Sequence, residues 1–456
     1  MATSLRRLTP SQIVVLGFIA GTAAGALLLS LPISYTTAPP SPLQAIFTTV
    51  AALCLAGLGV VDISTFFTPF GHLVILALMQ IGAFGIMTIG SLLGLLVTQK
   101  VSFKTRINST TESSALGLND FRKLVIRVFE ITFLVEGIVA TVLAIRFVTE
   151  YHMALGDAIW YGIFHAVSAF CNCGYSLFTN SMIPFQLDPI VLLALGFATV
   201  IGGLGFPVLV ESYRRVIGRL RGLKPFQLNM PVHWSLQAQM VFWMTVILLL
   251  GGWVYIAALE WANPQTIGAM SPGEKLLNAL FISIQSRSAG MNSFDLGVAH
   301  PATLLGIDLL MFIGAASAGT SGGIKVTTFA VIIYIVLAEI KGAGAVNVGQ
   351  RRLPRSIQRQ ALSIAFLSTA LVLGSVIVIH LMTDFTTDQI AFEVISAFGT
   401  VGLSTGITAA LPAGAQLVLI VLMFVGRVGL VLVASALAVN ATRAIYQYPK
   451  ERPIIG

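Results

Sequence analysis

Three cysteines are the first candidates for chemistry in this chain of 456 residues. Cys171 and Cys173 stand one residue apart in SAFCNCGYS, and Cys54 lies far upstream in ALCLAGLG. Such thiols could clamp a metal or form a redox pair. A zinc site, however, wants four ligands, with thiols two to four residues apart and histidines nearby. One C-x-C and a remote cysteine fit that poorly, so a membrane thiol or metal enzyme stays a minor alternative. Arg427 is the second candidate, alone in the apolar run MFVGRVGLV. A buried arginine in such a run is costly and points to a functional role. Glu136, Asp308 and Glu393 are the carboxylates best placed for a buried ionisable site.

The elements that carry these residues are set by composition. The chain is 56% hydrophobic and only 10% charged, against about 25% charged in ordinary soluble proteins. It contains many apolar runs near the roughly 20 residues that cross a bilayer. The net charge of +8 does not imply nucleic acid, because the basic residues cluster between apolar runs. They fall in SLRRL, Lys100 to Arg127, Arg214 to Lys224, Lys341 to Arg359 and Arg443 to Arg452. The intervening connections are marked by Asp and Glu, and the positive-inside rule places both termini in the cytoplasm. The run from Ile13 to Leu31 is long for a signal peptide and lacks a cleavage site; it reads as a first membrane helix.

The basic clusters recur at near-constant spacing, which predicts internal repeats. Each unit reads as a long apolar helix, a short apolar helix and a second long helix. The boundaries are 1–100, 101–224, 225–345 and 346–456. The short helices carry start signals: Ser41 with Pro42, Ser271 with Pro272 and Glu274, Asp157, and Thr387 with Asp388. They align as FTTVAALCLAGLG, FHAVSAFCNCGYS, LFISIQSRSAGMN and FEVISAFGTVGLS. The eleventh position is always glycine, Gly57, Gly174, Gly290 and Gly402, at intervals of 117, 116 and 112 residues. A second glycine register, Gly82, Gly202, Gly314 and Gly426, lies in the long helices that follow, where close helix packing is the usual role. The expected fold is an all-α integral membrane protein. Eight spans and four re-entrant half-helices would be arranged with pseudo-fourfold symmetry about a central cation pore.

Non-helical backbone survives at membrane depth only when buried in protein or lining a water-filled path. Four such loops would meet at the centre, each below a helix C-terminus carrying partial negative charge. That favours a cation. The loops offer no carboxylate for a divalent ion. They offer backbone carbonyls, which replace the hydration shell of an alkali cation. The candidate ion-binding backbone is Leu55, Ala56 and Gly57; Asn172, Cys173 and Gly174; Ser288, Ala289 and Gly290; Thr400, Val401 and Gly402. Glycine suits the eleventh position because it reaches positive φ.

The third unit departs from this plan. Its second helix would run about 58 Å from Pro301 to Glu339 at roughly 1.5 Å per residue, yet GAASAGTSGG interrupts it at Gly314–Gly323. The other units are expected to keep intact helix at this depth. The break reads as a movable gate or as a plain linker. The candidate gate residues are Gly314, Ser317, Gly319, Thr320, Ser321, Gly322, Gly323, Lys325 and Arg427. Arg427 could bond loop carbonyls, raise a barrier to cations, or pair with Asp308. Arg287 is expected to brace loop carbonyls from behind, and His165 to pack or hydrogen-bond.

These motifs resemble the Trk/Ktr/HKT superfamily of potassium transporters over essentially the whole chain. MFIGAASAGTSGGIKV is similar to its intramembrane gating loop, and MFVGRVGLV to its fourth-unit helix with the arginine. LMQIGAFGIMT and the ending YPKERPIIG resemble the Ktr branch and its KtrB-type membrane subunits. The first span starts by about residue 12, so the extra N-terminal hairpin of Trk members is expected to be missing. The resemblance implies a homodimer with one pore per protomer. It also implies a cytosolic ring of nucleotide-binding, KtrA-like regulatory subunits, consistent with the lack of a G-x-G-x-x-G or Walker motif here. The implied role is gated potassium uptake across the cell membrane, with potassium, or alternatively sodium, as the transported ion. Membrane lipid is the only other expected partner, with no nucleic acid, no bound cofactor and no enzymatic activity. Relatives with serine in the first loop tend to carry sodium, so Gly57 favours potassium. The three alanines Ala315, Ala316 and Ala318 make the gate less glycine-rich than in the family. A sodium-coupled transporter with broken helices is a further alternative.

Overall fold

The computed structural model describes residues 10–85, 116–220, 234–317, 319–349 and 351–429. The C-terminal ending and parts of the first two internal basic clusters lie outside these residues. The helices are α1 (Pro10–Leu29), α2 (Pro42–Leu53), α3 (Pro69–Gly85), α4 (Leu116–Thr149), α5 (Leu155–Phe170), α6 (Pro189–Gly203) and α7 (Phe206–Leu220). They continue with α8 (Leu236–Glu260), α9 (Pro272–Gln285), α10 (Pro301–Ile313), α11 (Val326–Ile340), α12 (Arg355–His380), α13 (Thr387–Gly399) and α14 (Ala413–Val428). A two-stranded hairpin, Asn347–Val348 paired with Arg351–Arg352, joins α11 to α12.

Ile126–Thr149 of α4, α8 and α12 are long and apolar enough to cross a membrane, and a third or less of each is buried. Side chains such as Phe133, Leu134, Ile247 and Phe366 leave large apolar surface exposed, as expected of helices that face lipid or a partner. Among the described residues these full-length spans are fewer than the eight expected. Several second helices stop at a break or run into residues outside that set.

The short helices α2, α5, α9 and α13 are 12, 16, 14 and 13 residues long. At 1.5 Å per residue none spans a core of about 30 Å. Their N-terminal turns lie near the surface and their last turns are wholly buried. Phe47, Phe164 and Phe392, at one register, are completely enclosed. In the third unit Leu280 holds that register, and the buried ring is the next residue, Phe281. Ser41 caps α2 in a reciprocal box with Gln44. Two expected starts are corrected. The cap of α5 is Ala154, with Asp157 inside the first turn. The cap of α13 is Thr386, one residue before the expected Thr387, because its hydroxyl and the side chain of Gln389, three residues on, close the box.

A further correction concerns the second unit. Its second helix is not intact: α6 and α7 meet at 107° across Leu204 and Gly205. Gly205 has φ +80, and a Cβ there would stand 2.7 Å from the Ser317 carbonyl oxygen. The bend follows from the close approach of the third-unit loop. The first and fourth units also touch: Phe18 of α1 meets Phe424 of α14 edge-on at 5.9 Å between ring centroids, and α14 packs against α2.

Candidate ion pathway

The four short helices deliver their loops to one place. A Cβ built on Gly57 would lie 1.9 Å from the carbonyl oxygen of Cys173; on Gly174, 2.5 Å from that of Ala289. On Gly290 it would lie 2.1 Å from the oxygen of Val401, and on Gly402, 2.7 Å from that of Ala56. Each loop glycine therefore rests on the carbonyl that precedes the glycine of the next loop, and the fourth returns to the first. The contacts close a ring.

The backbone repeats around this ring. Gly57, Gly174, Gly290 and Gly402 have φ of +65, +88, +69 and +99, and Leu55, Asn172, Ser288 and Thr400 have φ of +57, +57, +105 and +48. Two left-handed residues flanking one ordinary residue make a tight reversal that few sequences tolerate. The intervening Ala56, Cys173, Ala289 and Val401 are buried, while Gly57, Gly174 and Gly402 stay partly accessible. The expected ion-binding residues of all four loops are thus brought together.

Polar side chains hold the loops from behind. Ser168 Oγ donates to the Tyr175 carbonyl at 2.7 Å, and the Gly402 amide donates to Ser396 Oγ at 3.1 Å. His165, fully buried, contacts the Tyr161 carbonyl through Nδ1 at 2.7 Å and receives the Leu177 amide at Nε2. The Tyr175 hydroxyl donates to the Leu58 carbonyl at 3.0 Å, tying the second loop to the first. Sequence reasoning misses Ser168, Ser396 and Tyr175, although the shared SAF register of the second and fourth segments is an available signal. Cys54 and Cys171 cap the first two short helices, and all three cysteines are free and buried.

In the third unit α10 ends at Ile313 and α11 begins at Val326. The loop between them is buried along most of its length. Its backbone is held by the second unit: Ala316 N donates to the Gly203 carbonyl at 3.0 Å, and Thr320 N to that of Gly202 at 3.4 Å. Ala315 N donates to Ser321 Oγ at 3.2 Å, and Ser317 Oγ meets Thr327 Oγ1 at 2.8 Å. Lys325 Nζ donates to the carbonyls of Ser321 and Gly322. A Cβ on Gly314 would meet the Gly322 oxygen at 2.5 Å, so the loop folds back on its own start, while Gly319 and Gly323 approach the Gly203 and Phe312 carbonyls.

Arg427 donates through Nη1 to the Thr320 carbonyl and through Nη2 to that of Gly82 at 3.3 Å. It joins the loop to the first unit. Among the described residues it forms no ion pair with Asp308. Arg287 donates to the carbonyls of Thr245 and Gly314 at 3.3 and 3.4 Å, so it braces the start of the third-unit loop and not its own re-entrant loop. The three candidate carboxylates do not share a site. Glu136 accepts from Gln80 at 2.8 and 2.9 Å, Glu393 from Ser404, Thr405 and Thr408, and Asp308 keeps one oxygen unpartnered. The second-register glycines Gly82, Gly202 and Gly426 each press against the carbonyl at the end of their unit's short helix, Leu53, Phe170 and Phe398.

A helical membrane protein that gathers re-entrant half-helices onto a ring of backbone, over a buried loop, has the construction of an ion transporter. Comparison with known proteins agrees. Residues 3–443 match the TrkH family, described as cation transport protein; the chain belongs to that family. It is 36% identical over 429 residues to the Ktr system potassium uptake protein B of Bacillus subtilis, covering 93% of this chain and 92% of that one. It is 32% identical over 461 residues to the potassium/sodium uptake protein NtpJ of Enterococcus hirae, covering 99% and 98%. The crystal structure of the potassium transporter TrkH from Vibrio parahaemolyticus shares the fold, with a TM-score of 0.71 and 17% identity over 96% of this chain and 86% of that one.

Proposed function

We propose that this chain is the gated ion-translocating subunit of a Ktr-type potassium uptake system in the cell membrane. The observation that carries the reading is the closed ring of loop glycines and carbonyl oxygens. Ala56, Cys173, Ala289 and Val401 would each supply one carbonyl dipole to an alkali cation in place of its hydration water. The chain then comprises four pseudo-symmetric units, 1–100, 101–224, 225–345 and 346–456, with eight spans and both termini cytoplasmic. The loop at 313–323 is the gate, held shut by Arg427. The family resemblance supports a homodimer seated on a cytosolic ring of nucleotide-binding regulatory subunits, with no enzymatic step.

The test is rescue of a host lacking its own potassium uptake, at low external potassium, with and without added sodium. Growth and potassium accumulation that depend on this chain are expected. Sodium accumulation without potassium uptake would replace potassium by sodium as the substrate, a reading that the potassium/sodium relative favours. Accumulation of neither ion, with the protein in the membrane, would refute both.

A further inference from the structure

Each part of the third-unit loop is fastened to a different re-entrant loop or its flank. At its start, Arg287 of the third segment holds the Gly314 carbonyl. At its end, Gly322 lies against the fourth loop, where a Cβ would stand 2.3 Å from Thr400 Oγ1. Between them, Thr320 Oγ1 donates to the side-chain oxygen of Asn172 at 3.0 Å, with the amide oriented so that its nitrogen donates to the carbonyls of Ala169 and Thr199 at 2.8 and 3.1 Å. Asn172 and Thr400 share a register, two residues before the ring glycine, and both sit at positive φ. The next carbonyl in the chain from Asn172 is that of Cys173, which supports Gly57. Asparagine is one of the few side-chain-bearing residues that accept this backbone, so the position presents a polar hook without distorting the ring.

We propose that the Asn172–Thr320 hydrogen bond is a latch coupling the gate loop to the ion-binding ring, with Asn172 as a positioning residue. The inference rests on the pathway reading above. Thr320 is held twice, its hydroxyl by Asn172 and its carbonyl by Arg427. Withdrawal of the loop therefore removes a support from the backbone that carries the Cys173 carbonyl. Coupling of this kind is reciprocal: if loop position alters the ring's preference between ions, the ion in the ring biases the loop by the same factor.

Asn172→Gly removes the hook at a dihedral that glycine accepts, and Thr320→Val removes the hydroxyl while keeping the shape. Initial rates of potassium and sodium uptake are measured in proteoliposomes. Each single change is expected to raise potassium uptake about fivefold, the weight of one buried hydrogen bond, and to lower the K⁺/Na⁺ ratio. The double variant should do no more than either single one, and Thr320→Ser should stay near wild type. Effects that multiply, or faster uptake at an unchanged ratio, would overturn the latch. If a variant does not fold, Ser317→Cys in the otherwise unaltered chain decides, since the native thiols are buried. Its modification by a soluble maleimide should proceed at different rates in potassium and in sodium, and equal rates overturn the coupling. Wild-type protein that carries neither ion would instead overturn the pathway reading.

Discussion

Alanine placed at the four ring glycines tests the ring position by position. The room available is graded: a new Cβ meets a neighbouring carbonyl oxygen at 1.9 Å for Gly57, 2.1 Å for Gly290, 2.5 Å for Gly174 and 2.7 Å for Gly402. Real Cβ atoms essentially never approach closer than about 3 Å. Gly57→Ala must therefore move the Cys173 carbonyl by roughly an ångström, and Gly402→Ala must move that of Ala56 by a few tenths. An oxygen displaced that far from a ring of four stops serving as a ligand. Valued like one hydrogen bond, the loss is about 1 kcal/mol, or about fivefold in the K⁺/Na⁺ uptake ratio. Positive φ adds a separate cost of about 1–2 kcal/mol in stability at each site. It weighs most at Gly402, whose φ of +99 lies furthest from the left-handed well. Uptake of both ions by purified protein in liposomes, normalised to folded protein, separates the two effects. Selectivity should fall most for Gly57→Ala and Gly290→Ala and least for Gly402→Ala, while Gly402→Ala should lower thermal stability. Unchanged selectivity in folded Gly57→Ala, or the reverse order, would refute the ring as the selective element.

The remaining expectations concern the gate, the thiols and one partly buried ion pair. Arg427→Gln loses the charged hydrogen bond that holds the loop at the Thr320 carbonyl, worth about 1.5 kcal/mol, and basal flux should rise roughly tenfold; a fall at normal protein levels counts against a closing role. Deleting Ala315 to Ser321 should raise flux further, measured in the same liposomes, and reduced flux from folded protein would sink the gate. Replacing Cys54, Cys171 and Cys173 by alanine or serine should leave transport in place, whereas complete loss in folded protein would revive a thiol mechanism. Asp188 caps α6 and accepts from Arg146 Nε at 2.7 Å and from the Tyr151 hydroxyl at 3.1 Å. Burial first, and then the negative charge of Asp188, push the Tyr151 hydroxyl up to about 12, so it keeps its proton and donates at neutral pH. Asp188→Ala should cost about 3 kcal/mol, seen as a lower melting temperature in detergent; an unchanged melting temperature would refute the assignment.

The ring glycines are legible in the sequence because a positive φ pressed against a neighbouring carbonyl, where a Cβ would clash, leaves a mark at every repeat. The helix break in the third unit is legible for a related reason: Gly314–Gly323 offers little side-chain surface to hold a helix together. The bend at Gly205 is not, although VIGGLGFP places glycines and Pro207 where it occurs. That signal is shared with ordinary close packing, and only the approach of Ser317 distinguishes the two. The target of Arg287 is likewise hidden, since nothing local to its segment shows that Gly314 lies within reach. The cap of α5 escapes the sequence because Ala154 makes no side-chain bond to the helix and so carries no compositional mark.

The third-unit loop has a consequence that follows from chain connectivity. In an assembly of four identical chains, any interruption of one inner helix is repeated in all four. Four plugs would then compete for one axis, and opening would require all of them to withdraw. Here, on the reading proposed above, the units are tandem segments of a single polypeptide, so the loop between α10 and α11 can belong to one of them alone. The neighbouring segments accommodate it: Gly205 yields space, Asn172 offers a hook, and Arg427 supplies a clasp. In the pathway proposed above, tethering would permit an asymmetric closure, in which displacement of one stretch of backbone suffices to clear the passage.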